Sequence, residues 1–269
     1  MSRDLPDRPP LDVERLRARL AGSYDVEVVD AAPSTNALVA ERARGGAAEG
    51  LVVVAEHQTA GRGRLDRTWT TPDRSALTFS VLLRPDVPAE SWPWLPLLTG
   101  VAVVRSLRDS GATTAQLKWP NDVLLSTRKT AGLLVERVDT PGGPAAVVGI
   151  GLNVSLTAAE LPVESATSLW HEGTTVDRTD QLAGVLSRLW EEYDAWRAAD
   201  GDADRSGLAA AYAGLCSTLG RDVRVDLPTG EVLVGEAVRI AAGGGLVVRT
   251  GTGETTVGAG DVVHVRPGG

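Results

Sequence analysis

The sequence predicts an α/β fold followed by a small β-barrel, and two patterns in its apolar residues support this. From Asp25 to Val154, apolar segments of strand length alternate with segments of helical periodicity, which is typical of layered α/β domains. After Gly220 the chain changes to short runs rich in valine, separated by turns that contain glycine and proline. We therefore expect a main domain over residues 1–218 and a small barrel domain over residues 219–269.

The elements follow from local patterns taken in chain order. The first ten residues are rich in proline and arginine and are expected to be loosely held, and Asp12 is expected to open a short helix, so that residues 1–24 form an N-terminal arm. The other predicted elements of the main domain are strand 26–29, helix 35–44, strands 51–55 and 77–83, helix 97–107, strands 116–118, 132–137 and 145–154, and helix 179–197. That last helix carries an apolar stripe of Leu182, Leu186, Leu189, Tyr193 and Trp196. Five short strands are expected in the barrel, with β-rich runs at 223–225, 232–240, 246–249 and 262–265.

Composition excludes several classes of protein. The 269 residues carry a net charge of −8, so the chain has no overall basic field with which to hold a nucleic acid. The single cysteine, Cys216, excludes an internal disulfide, and the three histidines lack the spacing of metal ligands. Because no apolar run reaches the length of a membrane span and the N-terminus is polar, we expect a cytoplasmic protein with no membrane partner.

Lysine is rare in this chain. Only Lys118 and Lys129 occur, although Lys and Arg together number 27. Arginine can replace lysine on most surfaces, but its broad planar guanidinium cannot take the place of a compact ammonium that must reach a developing charge. A coding bias towards arginine is the alternative explanation. Both lysines, however, lie in segments with the character of a site, 118–122 and 128–134.

Three segments, one of them the 118–122 segment, combine polar side chains with a helix start, a glycine-rich loop or a proline bend. Ser34-Thr35-Asn36 is expected to cap a helix, and the same groups can bind a polar ring such as a urea. The loop 61–69 combines glycines with arginines that can close over an anion, although a solvated turn or an RNA-contacting segment has the same composition. Segment 118–122 places an ammonium, an amide and a carboxylate around a proline bend at a strand end, where α/β sheets often bind ligands; a rigid turn is the alternative.

In combination these segments resemble the biotin protein ligases. The resemblance rests on motifs that occur in the order of that family and extends over nearly the whole chain: Ser34-Thr35-Asn36, Gln58, Gly61-Arg62-Gly63-Arg64 with Arg67 and Trp69, Lys118-Trp119-Pro120-Asn121-Asp122, Arg128-Lys129 with Ala131-Gly132, and Gly149-Ile150-Gly151-Leu152-Asn153. It implies a catalytic domain similar to class II aminoacyl-tRNA synthetases, followed by a Src-homology-3-like barrel.

The resemblance also implies a reaction. The carboxylate of biotin attacks the α-phosphate of Mg-ATP, which releases pyrophosphate and leaves biotinyl-5′-adenylate. The acyl group then passes to a lysine on the biotin carboxyl carrier domain of an acetyl-CoA or acyl-CoA carboxylase, and AMP leaves. ATP and Mg²⁺ are the implied cofactors, and biotin is a substrate.

By the same resemblance, each motif residue has an expected role. Four residues are expected to act in catalysis: Lys129, Arg64, Lys118 and Asp122. Biotin is expected to contact Ser34, Thr35, Asn36, Gln58, Arg62, Gly63, Arg64, Lys129 and Gly132. ATP is expected to contact Arg62, Arg67, Trp69, Lys118, Asn121, Asp122 and Asn153. No cluster of protein ligands for a metal is expected, but Mg²⁺ is expected near Asn121 and Asp122. Asp122 is also a candidate to accept the proton of the incoming amine.

Departures from the family limit what can be carried over. Only 33 residues precede Ser34, too few for the winged-helix DNA reader of some members, so no nucleic-acid partner is expected. Leu65-Asp66 stands where many relatives have a basic residue and a glycine. A lipoate or octanoate ligase or transferase of the same fold is an alternative, and a biotin-binding module or ligand-sensing regulator is a non-enzymatic one. A monomer or a weak homodimer is expected.

Overall fold

The computed structural model describes residues 6–64 and 67–265. The helices of this part of the chain are α1 (Val13–Leu20), α2 (Thr35–Arg44), α3 (Leu95–Asp109), α4 (Arg178–Ala198) and α5 (Leu208–Leu215), and a 3₁₀ turn at Ala89–Trp94 leads into α3. Its strands are β1 (Asp25–Ala32), β2 (Leu51–Gln58), β3 (Gly61–Arg62), β4 (Thr68–Trp69), β5 (Ala76–Leu83), β6 (Ala115–Lys118), β7 (Asp122–Leu125), β8 (Arg128–Thr140), β9 (Gly143–Asn153), β10 (Asp222–Asp226), β11 (Val232–Ile240), β12 (Leu246–Thr250), β13 (Gly253–Val257) and β14 (Asp261–His264).

The main sheet has seven strands in the order β1-β2-β5-β9-β8-β7-β6. Its first pair, β1 and β2, is parallel, whereas the other neighbouring pairs are antiparallel. A separate antiparallel sheet of five strands has the order β13-β12-β11-β10-β14. This arrangement confirms the predicted fold class of a mixed α/β unit with a small β-barrel.

The two faces of the main sheet are covered differently. Helix α3 packs on β6, β8 and β9, and α4 packs on α3 through its predicted stripe, whose five members are all fully buried. On the opposite face, α2 packs on β2, β5, β8 and β9 around a small apolar cluster that includes Val39, Val53 and Val147. Since α2 has only ten residues, it covers one end of this face and leaves the remainder open as a cleft.

The prediction that the first ten residues are loosely held is wrong for residues 6–10. The Arg8 guanidinium binds both carboxylate oxygens of Glu160 at 2.7 and 3.0 Å and the carbonyl of Ser155 at 2.8 Å. Leu11 N donates to Glu56 at 2.7 Å, and Glu56 forms a buried ion pair with Arg178 at 2.6 Å. Buried charges are stabilised only when paired and hydrogen-bonded, and the arm helps to satisfy this requirement.

Two tryptophans join the five-stranded sheet to the main domain. Trp94 Nε1 donates to the carbonyl of Ala242 at 2.6 Å, and Trp119 Nε1 donates to that of Gly244 at 3.2 Å. Trp119 N also donates to Thr218 Oγ1 at 3.1 Å. Both indoles are almost fully buried, so the barrel is packed directly behind the 118–122 segment.

Most of the predicted elements are present, with longer strands than the pattern indicated. β8 begins at Arg128, which places Lys129 on a strand, and Cys216 is buried as a free thiol. The sequence reading missed α5, the short strand β7 and the β3–β4 pair. The described part of the chain has no helix that is long and apolar enough to cross a membrane.

Candidate active site

A cleft of about 790 Å³ opens on the face of the main sheet beyond α2. All fifteen residues expected from the sequence to act in catalysis or binding line this cleft: Ser34, Thr35, Asn36, Gln58, Arg62, Gly63, Arg64, Arg67, Trp69, Lys118, Asn121, Asp122, Lys129, Gly132 and Asn153. They come from six separate segments of the chain. The fold therefore brings together residues that lie far apart in the sequence.

Glycines form the floor of the cleft. Gly132 and Gly151 are cross-strand partners on β8 and β9, and Gly149 follows on the same face of β9. A Cβ on Gly151 would lie 2.6 Å from Cε2 of Trp69, and a Cβ on Gly149 would overlap the side-chain amide of Asn36. Only glycine therefore leaves room for the Trp69 ring and the Asn36 amide above this floor.

One end of the cleft is polar and uncharged. Ser34 caps α2, since its side chain accepts a hydrogen bond from Ala37 N, as the sequence predicted. Gln58, at the end of β2, accepts hydrogen bonds from Thr35 N at 2.9 Å and from Thr35 Oγ1 at 3.2 Å. Burial of Ser34, Thr35 and Gln58 makes this end suitable for a small polar ring that supplies its own donors and acceptors.

The other end of the cleft concentrates charge. Lys129 Nζ lies 2.5 Å from Asp122 Oδ1, and Arg64 Nη1 donates to Asn121 Oδ1 at 3.1 Å. Lys118 is the cross-strand partner of Asp122 at the β6–β7 turn. Lys129 is held through its backbone as well, because its N–H donates to the carbonyl of Ser165 at 2.8 Å. Two lysines and an arginine thus meet where charge on a carboxylate or phosphate would require donors.

The barrel completes the cleft wall. Asp226, Asp261, Val262 and Val263 line it, and Asp261 forms an ion pair with Arg67. Burial lowers the pKa of the Arg64 guanidinium, and the carboxylates of Asp261 and Asp122 oppose this shift. Arginine keeps its charge under such perturbation, so Arg64 is a desolvated cation directed at the cleft.

Two buried polar atoms in the cleft have no hydrogen-bond partner among the described residues. They are Oδ1 of Asn153 and Nε1 of Trp69. The Asn153 amide is oriented by its other end, because Nδ2 donates to the carbonyl of Thr167 at 2.9 Å. Buried polar atoms are nearly always paired, so these two are available to a ligand.

The donor set is suitable for Mg²⁺ but not for a protein cage around a metal. In residues 6–64 and 67–265 no group of three or more His, Cys, Asp or Glu side chains could hold a metal ion. Mg²⁺ usually uses one or two protein oxygens together with phosphates and water. The carboxylate of Asp122 and the free oxygen of Asn153 meet that description, whereas the Asn121 oxygen is occupied by Arg64.

Several lining residues were not anticipated from the sequence. They include Thr78 on β5, the segment around Pro162, Val163, Ser165 and Ala166, and the four barrel residues. Thr78 is the cross-strand partner of Gly151, a relationship that only the register reveals. The departure from the family at Leu65 and Asp66 lies outside the described residues.

Comparisons with known proteins match both parts of the chain. The Biotin/lipoate A/B protein ligase family model matches residues 28–155, and the Biotin protein ligase C terminal domain model matches residues 218–265. A biotin–[acetyl-CoA-carboxylase] ligase of Mycobacterium tuberculosis is 41% identical over 272 residues, covering 96% of this chain and 97% of its own. This chain belongs to the biotin protein ligase family.

Other members of the biotin protein ligase family agree in fold and differ in extent. The bifunctional ligase/repressor BirA of Escherichia coli is 34% identical over 66% of this chain and 56% of its own length. A biotin protein ligase of Aquifex aeolicus, solved in complex with biotin and ATP, superposes with a TM-score of 0.72 at 28% identity, covering 90% of this chain and 99% of that one. The fold expected from the motifs is therefore that of the family.

Proposed function

We propose that this chain is a biotin–[acetyl-CoA-carboxylase] ligase. It activates biotin with ATP as biotinyl-5′-adenylate, releasing pyrophosphate, and transfers the acyl group to a lysine of a carboxylase carrier domain, releasing AMP. The observation that carries this proposal is the meeting of Lys129, Asp122, Arg64 and Asn121 at the charged end of a cleft whose other end is neutral and polar.

The first step needs orientation and charge stabilisation more than proton transfer. The neutral end, with Thr35 and Gln58, would hold the ureido ring, so that the carboxylate of biotin reaches Lys129. Arg64 and Lys118 would face the α-phosphate, on which negative charge accumulates during attack. Preorganised cations in a desolvated cleft stabilise such charge strongly, because they need not reorganise when it develops.

The adenosine of the intermediate would pack against Trp69, which lies over Gly132 and Gly151. Arg62 and Arg67, on the loop above the cleft, would close over the adenylate. Where Mg²⁺ binds, Asp122 and Asn153 would hold it, and the ion would neutralise phosphate charge.

The second step is an acyl transfer to an amine. The incoming lysine must lose a proton, and the acyl oxygen becomes an oxyanion in the tetrahedral intermediate. The Asp122 carboxylate, which pairs with Lys129, would accept the proton, while Lys129 would donate to the oxyanion.

We further propose that residues 1–218 form the catalytic domain and residues 219–269 the barrel domain. The carrier domain of the carboxylase is the proposed macromolecular partner, and the cytoplasm, which supplies ATP, is the proposed location. Monomer or weak homodimer is the proposed state, and no nucleic-acid partner is proposed because the net charge is −8.

The test is an assay of pyrophosphate release and carrier mass shift with Mg-ATP, run in parallel with biotin, lipoate and octanoate. Of the three acids, only biotin is expected to cause pyrophosphate release. We expect a single biotinyl adduct on one carrier lysine. If only lipoate or octanoate reacted, the proposed reaction type would stand and the assignment of biotin as substrate would be wrong. Binding of biotin without pyrophosphate release would indicate a binding module instead of an enzyme.

A further inference from the structure

Asn36 lies in the cleft, but its amide is engaged by the protein. Nδ2 donates to Glu136 Oε2 at 2.5 Å and approaches the carbonyl of Leu134 at 3.3 Å, and Oδ1 lies 2.5 Å from Ser80 Oγ. A primary amide has two N–H donors and one oxygen. Each of these already has a partner, so Asn36 is held in one orientation above Gly149.

The hydroxyl of Ser80 extends this set of contacts to the neutral end of the cleft. Ser80 Oγ lies 2.7 Å from Thr35 Oγ1 as well as 2.5 Å from Asn36 Oδ1, yet it has a single proton. Because the Asn36 oxygen can only accept, the Ser80 proton is required there. Ser80 Oγ can then only accept from Thr35, so the single Thr35 hydroxyl proton is shared between Ser80 Oγ and Gln58 Oε1.

Glu136 is the partner of Asn36 on the side away from Ser80. It lies two residues beyond Leu134 on the cleft face of β8, and its side chain is about one-third exposed (36%). While Oε2 accepts from Asn36, Oε1 lies 3.6 Å from Nη2 of Arg62 on β3. One carboxylate therefore contacts both a residue at the start of α2 and an arginine of the loop above the cleft.

Glu136 does not itself line the cleft, but it contacts Asn36 and Arg62, which do. We propose that Glu136 is a positioning residue that fixes Asn36 with one carboxylate oxygen and holds Arg62 over the cleft with the other, so that the Arg62 guanidinium stays in place beside biotin and the adenylate. This rests on the proposed function, because it concerns how that same site retains its ligands.

The substitution that tests the proposal is Glu136→Gln. A glutamine keeps an oxygen that can accept from Asn36 and removes the charge that faces Arg62. Asp139→Asn is the matched control, because it makes the same change on the same strand at a carboxylate that is 86% exposed and pairs with Arg137. Thermal unfolding of both variants serves as the check on folding.

Two quantities are measured for each variant: the KM for biotin in pyrophosphate release at saturating Mg-ATP, and the rate at which preformed biotinyl adenylate leaves the protein when no carrier is present. We expect Glu136→Gln to raise both by about threefold to tenfold, as for loss of a partly exposed ion pair, with kcat changed by less than about twofold. Asp139→Asn is expected to match the wild type.

A cycle with Arg62→Ala separates this role from a merely structural one. If Glu136 acts through Arg62, the double variant is expected to be no worse than Arg62→Ala alone, because coupled residues are not additive. The inference would be overturned if the effects of Glu136→Gln and Arg62→Ala multiplied in the double variant. It would also be overturned if Glu136→Gln behaved like Asp139→Asn. Wild-type protein that releases no pyrophosphate with biotin would overturn the proposed function, which is a separate outcome.

Discussion

At the residue scale, the two lysines raise the question of whether an ammonium is required. Lys129 contacts Asp122 at 2.5 Å at the charged end of the cleft. We expect Lys129→Ala to reduce adenylate formation by about two orders of magnitude or more, by analogy with the removal of one preorganised donor to a developing charge. Pyrophosphate release with biotin measures the effect.

Lys129→Arg tests the ammonium itself. The broad guanidinium keeps the charge but cannot take the compact position beside Asp122, so this variant is expected to remain impaired. Arg205→Ala, at an exposed cation paired with Asp200, is the control and is expected to be unaffected. Near-normal pyrophosphate release by Lys129→Ala would contradict the role assigned to Lys129, and near-normal release by Lys129→Arg would show that any cation suffices.

A second residue-scale prediction concerns the floor of the cleft. Gly151→Ala places a methyl group 2.6 Å from Trp69, so the indole must move away from the sheet. Misplacement of a contact residue by about 1 Å can reduce a rate by about 100-fold, and we expect at least tenfold loss of kcat/KM for ATP. Steady-state kinetics with varied ATP measures this.

Gly214→Ala is the matched control for that substitution. Gly214 lies in α5, and a Cβ there would meet no atom of the described residues beyond the backbone of its own helix within 4 Å. Alanine is favoured over glycine in helices by about 1 kcal/mol, so this variant is expected to be as active as wild type and slightly more stable. Unchanged ATP kinetics in Gly151→Ala would show that Trp69 does not need the space above the glycine.

At the scale of elements, the described part of the N-terminal arm is bound to the main domain by side-chain contacts. The bonds from Arg8 to Glu160 and Ser155 fasten it to the segment that precedes Pro162 and Ser165 in the cleft wall. The Arg8 side chain lowers the pKa of the Glu160 carboxyl from its ordinary value of 4.5 to about 2, with help from Thr157. The ion pair is therefore a source of stability that depends on pH.

The direction of that dependence follows from the lowered pKa. Glu160 contributes stability in full above pH 4.5 and loses it as the pH falls towards 2, because protonation removes the charge that Arg8 binds. We expect Arg8→Ala to lower the free energy of unfolding at pH 7 by about 1 kcal/mol, given the partial exposure of the pair. Urea unfolding over a pH series measures this, and the difference from wild type is expected to shrink in acid. A difference that stays constant over the whole pH range would contradict the assignment to Glu160.

The same scale shows why sequence patterns were sufficient for some elements and not for others. Ser34 predicts the start of α2 because an N-cap is a local property of the chain. The apolar stripe of α4 follows from the helical period alone. β7 is only four residues long and directly follows the Pro120 turn, so periodicity could not separate it. α5, with the sequence Leu-Ala-Ala-Ala-Tyr-Ala-Gly-Leu, was detectable from its alanine content.

The cleft shows the same division between local and non-local information. Motif residues such as Lys129 and Gln58 could be named from the sequence because their resemblance to a family is carried by short segments. Ser80 and Glu136 could not be named from the sequence. Their importance comes from cross-strand register and from contact with Asn36, which lies far away in the chain. Asp261 of the barrel reaches Arg67 only through the packing of two sheets against each other.

At the scale of the whole molecule, the main domain and the barrel share one apolar core. A single contiguous cluster of buried residues includes Leu95 and Trp119 of the main domain and Val223, Ala237 and Leu246 of the barrel. Since the apolar packing is continuous from one part to the other, we expect one cooperative unfolding transition in calorimetry. Two separable transitions would show that the barrel is an independent unit.

Trp94→Phe tests the junction in the same experiment. The substitution removes the indole N–H that binds the Ala242 carbonyl and leaves a buried acceptor unpaired, which costs about 1–3 kcal/mol. Trp92→Phe is the matched control, because the Trp92 Nε1 atom has no hydrogen-bond partner within the described residues. If the two parts unfold together, Trp94→Phe lowers the temperature of the whole transition more than Trp92→Phe does. If the barrel only rests on the main domain, Trp94→Phe instead splits off an early transition of the barrel and leaves the remainder unchanged.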